Sequence, residues 1–306
     1  MSVILPIDDS IVPADVTKGY LKNYDTDFQK SIGALYEKIK KEALSKITDA
    51  PQPGASVFVL VAGSQGVGKT QMVERLMAEH TTQQFVECDV DSILKRMPEV
   101  EPALRQAEEH MVLDFEAAGH YSPETHRNIL EQAIERLRPA AKYISDRLMS
   151  ECVAEGYNVI VETNAKTPHI SDFLSRVKST GVILEGHICE APDSVKIAGA
   201  KSKQHGFSFP RDVLLAESAA FRKNIPAIAN ACDSNLTIWW RQKKDQPLQT
   251  AAVATSQSYT AYPVAKAGFE AYFADPSGLE ITTLMSSRKE VKPEAPKADS
   301  KMMLDA

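Results

Sequence analysis

Two kinds of hydrophobic pattern alternate along the chain. Residues 57–62 (Val-Phe-Val-Leu-Val-Ala) form a continuous apolar run, too short for a helix and rich in β-branched side chains, as a strand buried on both faces requires. Shorter runs of the same kind occur at 84–88, at 156–162 with Val159 to Val161 as the buried centre, at 182–188 and at 235–240. Between them the apolar positions fall at helical spacing. Phe28, Ile32, Leu35, Tyr36, Ile39 and Leu44 predict a helix over 26–47 with Thr26 as its cap, and Ala50-Pro-Gln-Pro-Gly54 ends it. Further helical patterns cover 71–77, 93–97, 101–118, 123–155 interrupted at Pro139, 168–180, 191 toward 201, 212–231 with a kink at Pro226, and 265–273. Strands separated by helices predict an α/β fold: a mainly parallel five-stranded sheet with helices on both faces. The strandless stretch 99–155 reads as a helical insertion.

The first strand runs into Gly63-Ser64-Gln65-Gly66-Val67-Gly68-Lys69-Thr70, the spacing of a phosphate-binding loop. Glycines let backbone N–H groups close on phosphate oxygens, and the following helix presents its positive N-terminus to them. In this pattern Lys69 reaches the β- and γ-phosphates and the Thr70 hydroxyl ligates Mg²⁺, so ATP and Mg²⁺ are the cofactors predicted.

Carboxylates stand where parallel sheets build their sites, just past the carboxyl ends of strands. Asp89-Val-Asp91-Ser92 follows the second strand, and Glu162-Thr163-Asn164 the third. Asp91 or Ser92 can also start the short helix that follows, and the two roles are compatible. The segment from Lys201 and Lys203 through His205 to Arg211 gathers cationic side chains between two helices. It is a surface loop or a lid closing on phosphates, and the second is favoured. Trp239 and Trp240 are expected to pack in the core.

Composition narrows the class. The 306 residues are 43% hydrophobic and 25% charged, enough for one large domain with extensions. The net charge of −6 is spread along the chain, which favours no nucleic-acid partner. Cys88, Cys152, Cys189 and Cys232 are widely spaced and signal neither a zinc site nor a disulfide framework. No secretory signal or membrane span is apparent, so a cytoplasmic protein is expected; delivery by a specialised secretion system would leave no such mark.

Taken together, these residues resemble the zeta toxin group of P-loop kinases. The resemblance covers roughly 26–241 and is carried by the helix ahead of the first strand, the phosphate loop, Asp91 followed seven residues on by Pro98, the block Gly156-Tyr-Asn-Val-Ile-Val-Glu162, and Gly181 to Pro192. It implies a kinase that phosphorylates a sugar hydroxyl of a nucleotide-like small molecule, of the UDP-N-acetylglucosamine or NAD type. Asp91 takes the family's general-base position, Glu162 that of its substrate-binding glutamate, and Asp146, sixteen residues earlier, that of a helical acid; Asn164 joins Glu162 in orienting the acceptor. Lys201 or Lys203 stands near the first lid arginine of the family and Arg211 is a displaced substitute for the second. Thr163-Asn164 replaces the usual Gly-Thr. An antitoxin is the implied protein partner. The domain reading is an N-terminal extension over 1–25, the kinase domain over 26–241, a C-terminal extension over 242–285 and a disordered tail over 286–306. Two other readings stay open: a nucleotide-hydrolysing switch, and a degenerate kinase fold serving as an interaction module.

Overall fold

The structure, a computed structural model, describes residues 21, 24–80, 83–103, 105–106, 109, 136–194, 197–198, 211–232, 235–243, 246–273 and 280–292. Helix α1 (Thr26–Leu44) is the first described element and is capped by Asp25, whose carboxylate accepts the Phe28 N–H at 2.8 Å. The cap is thus one residue ahead of Thr26. Strand β1 (Val57–Gly63) is buried along its whole length and delivers the phosphate loop to α2 (Lys69–Glu79). Strand β2 (Phe85–Cys88) is followed at once by α3 (Val90–Lys95), which begins three residues earlier than the predicted 93–97 because Asp89 accepts the N–H groups of Asp91 and Ser92.

Helix α4 (Arg138–Glu155) carries Pro139 in its first turn. The proline starts this helix and does not interrupt one, since its missing N–H costs nothing there. The predicted helical residues 111–118 and 123–135 lie outside the described residues. Then come β3 (Asn158–Thr163), α5 (Ile170–Ser179), β4 (Ile183–Glu190), α6 (Arg211–Ala231) with Pro226 inside it, and β5 (Asn235–Trp240). The chain ends in β6 (Gln249–Thr255), β7 (Ser258–Ala261), α7 (Pro263–Phe273), α8 (Ile281–Leu284) and β8 (Lys289–Glu290).

The sheet has eight strands in the order β2-β3-β1-β4-β5-β6-β7-β8. Strands β1 to β5 are parallel, as predicted; β6 then adds antiparallel to β5, β7 antiparallel to β6, and β8 parallel to β7. The five-stranded expectation therefore falls three strands short. β8 begins within the stretch expected to be disordered: Arg288 is buried and donates to the carbonyls of Thr255 and Cys232. Residues 293–306 lie outside the described ones.

Period-2 alternation divides β1 between two cores. Phe58, Leu60 and Ala62 face the larger one, shared with α1, α4, α5, α6 and α7, where Phe58 meets Phe173 edge-on at 6.1 Å. Val57, Val59 and Val61 face the smaller one, built with Val73 and Leu76 of α2 and with Trp239. Both tryptophans are buried, Trp240 against Phe269 of α7. Among the described residues no helix is long and apolar enough to cross a membrane.

Candidate active site

Strand order decides which side chains meet. β1 lies between β3 and β4, in register at Ala62–Thr163 and Gly63–Cys189, so the residues leaving β3 and β4 flank the phosphate loop on either side. Two glycines give that loop its path. Gly66 and Gly68 have φ of +79° and +101°, a region L side chains rarely adopt. A Cβ on Gly66 would also stand 2.4 Å from the Ser194 carbonyl oxygen.

Four predicted site residues come together on the β3 side. Lys69 is only 6% exposed; its Nζ donates to Asn164 Oδ1 at 2.8 Å and to the Ser64 carbonyl at 3.2 Å, with Glu162 Oε1 at 3.9 Å. The Thr70 hydroxyl donates to Glu162 Oε2 at 2.9 Å. Burial pulls the Lys69 pKa below the usual lysine range, opposed by Glu162 and more weakly by Cys189, Glu190 and Asp91. Burial likewise pushes the Glu162 carboxyl up, against Lys69 and the Thr70 hydrogen bond. A buried ammonium with two neutral acceptors and one loosely placed carboxylate suits a group that must receive an anion. The turn carrying Asn164 is held by α6, where Asn224 Nδ2 donates to the carbonyls of Ala165 and Thr167 at 2.7 Å each.

Asp91 sits on the first turn of α3 with its carboxylate exposed and receives Arg138 Nη1 at 2.8 Å. It is near enough to act electrostatically on both Lys69 and Glu162. Asp89, its neighbour, is consumed by capping. Asp146 is 1% exposed on α4 with Lys142 Nζ at 3.4 Å, and none of its described contacts joins it to Lys69, Thr70 or Glu162. Arg211 is exposed at the start of α6. Lys201 and Lys203 lie outside the described residues, as does the proposed lid. Val67 contributes backbone to the loop, its side chain being buried in the smaller core.

Several residues of the site escaped the sequence reading. Glu190, at the end of β4, is fully buried and accepts the Ser64 hydroxyl at 2.7 Å. Glu217 of α6 accepts Gln65 Nε2 at 2.9 Å and also pairs with Lys166. Arg241, past β5, donates to the Gly66 carbonyl at 3.3 Å and has Asp193 at 3.7 Å. The available signal was a charged residue ending an apolar run at a strand's carboxyl end, which Glu190 and Arg241 share with Glu162.

A donor for phosphate oxygens is thus present in Lys69 and the α2 N-terminus, and a hydroxyl–carboxylate pair in Thr70 and Glu162. Among the described residues no three His, Cys, Asp or Glu side chains are grouped to hold a metal by themselves. A family model described as an AAA domain matches residues 58–224, from β1 into α6. Among solved structures the chain is similar to the AvrRxo1-ORF1:-ORF2 complex in its native form, at 14% identity over 90% of this chain and 79% of that one, with a TM-score of 0.53. It is similar to the same pair with ATP, at 16% identity over 91% and 80%, with a TM-score of 0.51. It is also similar to the PezAT chromosomal toxin-antitoxin system of the human pathogen Streptococcus pneumoniae, at 14% identity over 70% and 80%, with a TM-score of 0.47. No curated protein sequence matches the chain. The fold is the P-loop α/β fold that the resemblance to the zeta toxin group implies.

Proposed function

The chain belongs to the AAA domain family, and from that premise we propose that it is an ATP-dependent small-molecule kinase, transferring the γ-phosphoryl group to a sugar hydroxyl of a nucleotide-like acceptor. The observation that carries this reading is the convergence of Lys69, Thr70, Glu162 and Asn164 at the mouth of β1, with Asp91 following β2, the strand on the far side of β3. Phosphoryl transfer asks chiefly for in-line positioning and charge neutralisation. Lys69 and the loop N–H groups receive the triphosphate, and Asn164, now on the Lys69 ammonium, is released toward the acceptor. Asp91 accepts the proton of the attacking hydroxyl, held in direction by Arg138. Glu162 orients the acceptor, and Arg211 adds positive charge at the phosphates. Mg²⁺ fits the donor pair, since the Thr70 hydroxyl and the Glu162 carboxylate already face one another. When bound there, it neutralises phosphate oxygens.

UDP-N-acetylglucosamine and NAD are the acceptors that the zeta toxin resemblance brings forward, and an antitoxin-like protein is the partner that belongs to the same reading. The AvrRxo1-ORF1:-ORF2 complex, also solved with ATP, supports ATP as the nucleotide and a protein as a partner. A cytoplasmic site of action goes with them. Labelled ATP incubated with a panel of UDP-sugars, NAD and oligonucleotides tests the function. Transfer to one class of acceptor is expected, and Asp91→Asn should keep ATP binding while turnover falls by about two orders of magnitude. Near-normal turnover in that variant removes Asp91 from the chemistry. ATP hydrolysis without transfer to any acceptor replaces the kinase reading with that of a switch.

A further inference from the structure

We propose that Glu190 is a positioning residue for the phosphate loop: its carboxylate fixes Ser64 against α6 and thereby sets the resting place of Lys69. The proposal rests on reading residues 63–70 as the site of ATP's phosphates.

Glu190 is 0% exposed where β4 ends beside β1. One oxygen, Oε1, accepts the Ala191 N–H at 2.9 Å, a local bond that helps shape the turn out of the strand. The other, Oε2, accepts the hydroxyl of Ser64 at 2.7 Å, although 126 residues separate the two in sequence. Ser64 Oγ is also 3.0 Å from Ser218 Oγ on α6, and Arg222 Nε, one turn further along that helix, is 3.9 Å from Glu190 Oε2. The relay continues through the main chain, because the Ser64 carbonyl accepts Lys69 Nζ at 3.2 Å. A single carboxylate thus joins the end of β4, the second residue of the phosphate loop and the wall formed by α6.

Filling the core does not explain this residue. An ionisable side chain in a dry position is costly unless its partners compensate, and an apolar side chain would serve the end of a buried strand better. The partners here are the phosphate loop and the helix behind it. Glu162, the corresponding carboxylate on the β3 side, plays a different part, since its described contacts are to Thr70 and Lys69 and not to Ser64.

Equilibrium titration of the full chain with a fluorescent ATP analogue tests the relay, with thermal unfolding of each variant measured alongside. Glu190→Gln and Ser64→Ala should each weaken ATP about tenfold, the scale of one lost hydrogen bond to a charged group. The double variant should be no more than about twofold worse than the weaker-binding single, because both changes break one link. Either single variant binding ATP within about twofold of the parent overturns the proposal, as do losses that multiply to about a hundredfold. Should Glu190→Gln not fold, Ser64→Ala must still weaken ATP about tenfold and Ser218→Ala must add nothing to it. Lys69→Ala separates this proposal from the reading beneath it. If Lys69→Ala binds ATP normally, the phosphate-loop assignment itself fails; if it loses ATP while Glu190→Gln and Ser64→Ala do not, only the role of Glu190 fails.

Discussion

Acid should loosen the clamp between α1 and α4 through one residue, Glu151. Three donors converge on its carboxylate: Lys40 Nζ at 2.8 Å, Arg147 Nε at 2.8 Å, and the hydroxyl of the buried Tyr36, whose ring the Arg147 guanidinium covers at 3.8 Å. Burial by itself would raise the carboxyl's pKa, but the hydrogen bonds from Lys40, Tyr36 and Arg147 outweigh it and bring the value from 4.5 to about 2. A pKa lowered on folding contributes stability that is fully present above the unfolded value and is lost as pH falls through the folded one. The shift corresponds to about 3 kcal/mol at pH 7, of which about 2 kcal/mol is gone by pH 3. Urea unfolding followed by circular dichroism at pH 7, 5 and 3 measures this in the parent and in Glu151→Gln. The parent should lose about 2 kcal/mol more than the variant between pH 7 and pH 3. Parallel pH profiles would refute the assignment. The consequence reaches the site, because Arg138, the first residue of α4, holds Asp91.

Gly66→Ala should weaken ATP at least about tenfold in the same fluorescence titration, since the added Cβ meets the Ser194 carbonyl oxygen at 2.4 Å on a backbone with φ of +79°. Unchanged affinity would mean that this turn is not held as described. The burial of Lys69 makes ATP affinity fall, as pH rises, earlier than an ordinary lysine would dictate, because its charged form is disfavoured. Glu162→Gln removes the carboxylate that most favours the charged form, so the alkaline loss should move to still lower pH. An ATP-affinity profile from neutral to alkaline pH that is the same in both chains would exclude Glu162 as the partner of Lys69.

Most of what positions the site could be read from the chain because each signal was local. The run 57–62 is apolar on both faces and becomes a strand between two cores; Gly63 to Thr70 carries its own spacing; and Glu162 ends a buried run at the edge where sites form. Strands β6 and β7 had no such signal. Gln-Thr-Ala-Ala-Val-Ala-Thr and Ser-Tyr-Thr-Ala are short and rich in alanine and threonine, and they pair antiparallel at the far side of the sheet, where their mostly small buried side chains pack with α7 and Trp240. The cap of α3 also needed coordinates: the sequence offers Asp91 or Ser92 as its start, and the geometry gives the cap to Asp89, two residues earlier, and leaves Asp91 exposed. Glu190 carried the same strand-end signal as Glu162, but its partner could not be read, for a third reason. Its role exists only because β4 lies beside β1, and adjacency in a sheet whose order is not the chain order cannot be read from spacing.

That strand order also gives the site's two glutamates different roles. Both leave strands adjacent to β1, and burial raises the pKa of both, so sequence context and charge alone would treat them as equivalent. Accessibility distinguishes them. Glu162 keeps 22% of its side chain exposed beside the exposed Thr70, where an ion or an acceptor can reach it, whereas Glu190 is sealed behind Ser64 and can act only through the loop. Loss of Glu162 should therefore appear in acceptor handling and in the alkaline behaviour of Lys69, and loss of Glu190 in ATP affinity coupled to Ser64. A pair of variants, one from each strand flanking β1, can in this way distinguish the chemistry at the phosphate loop from the scaffolding behind it.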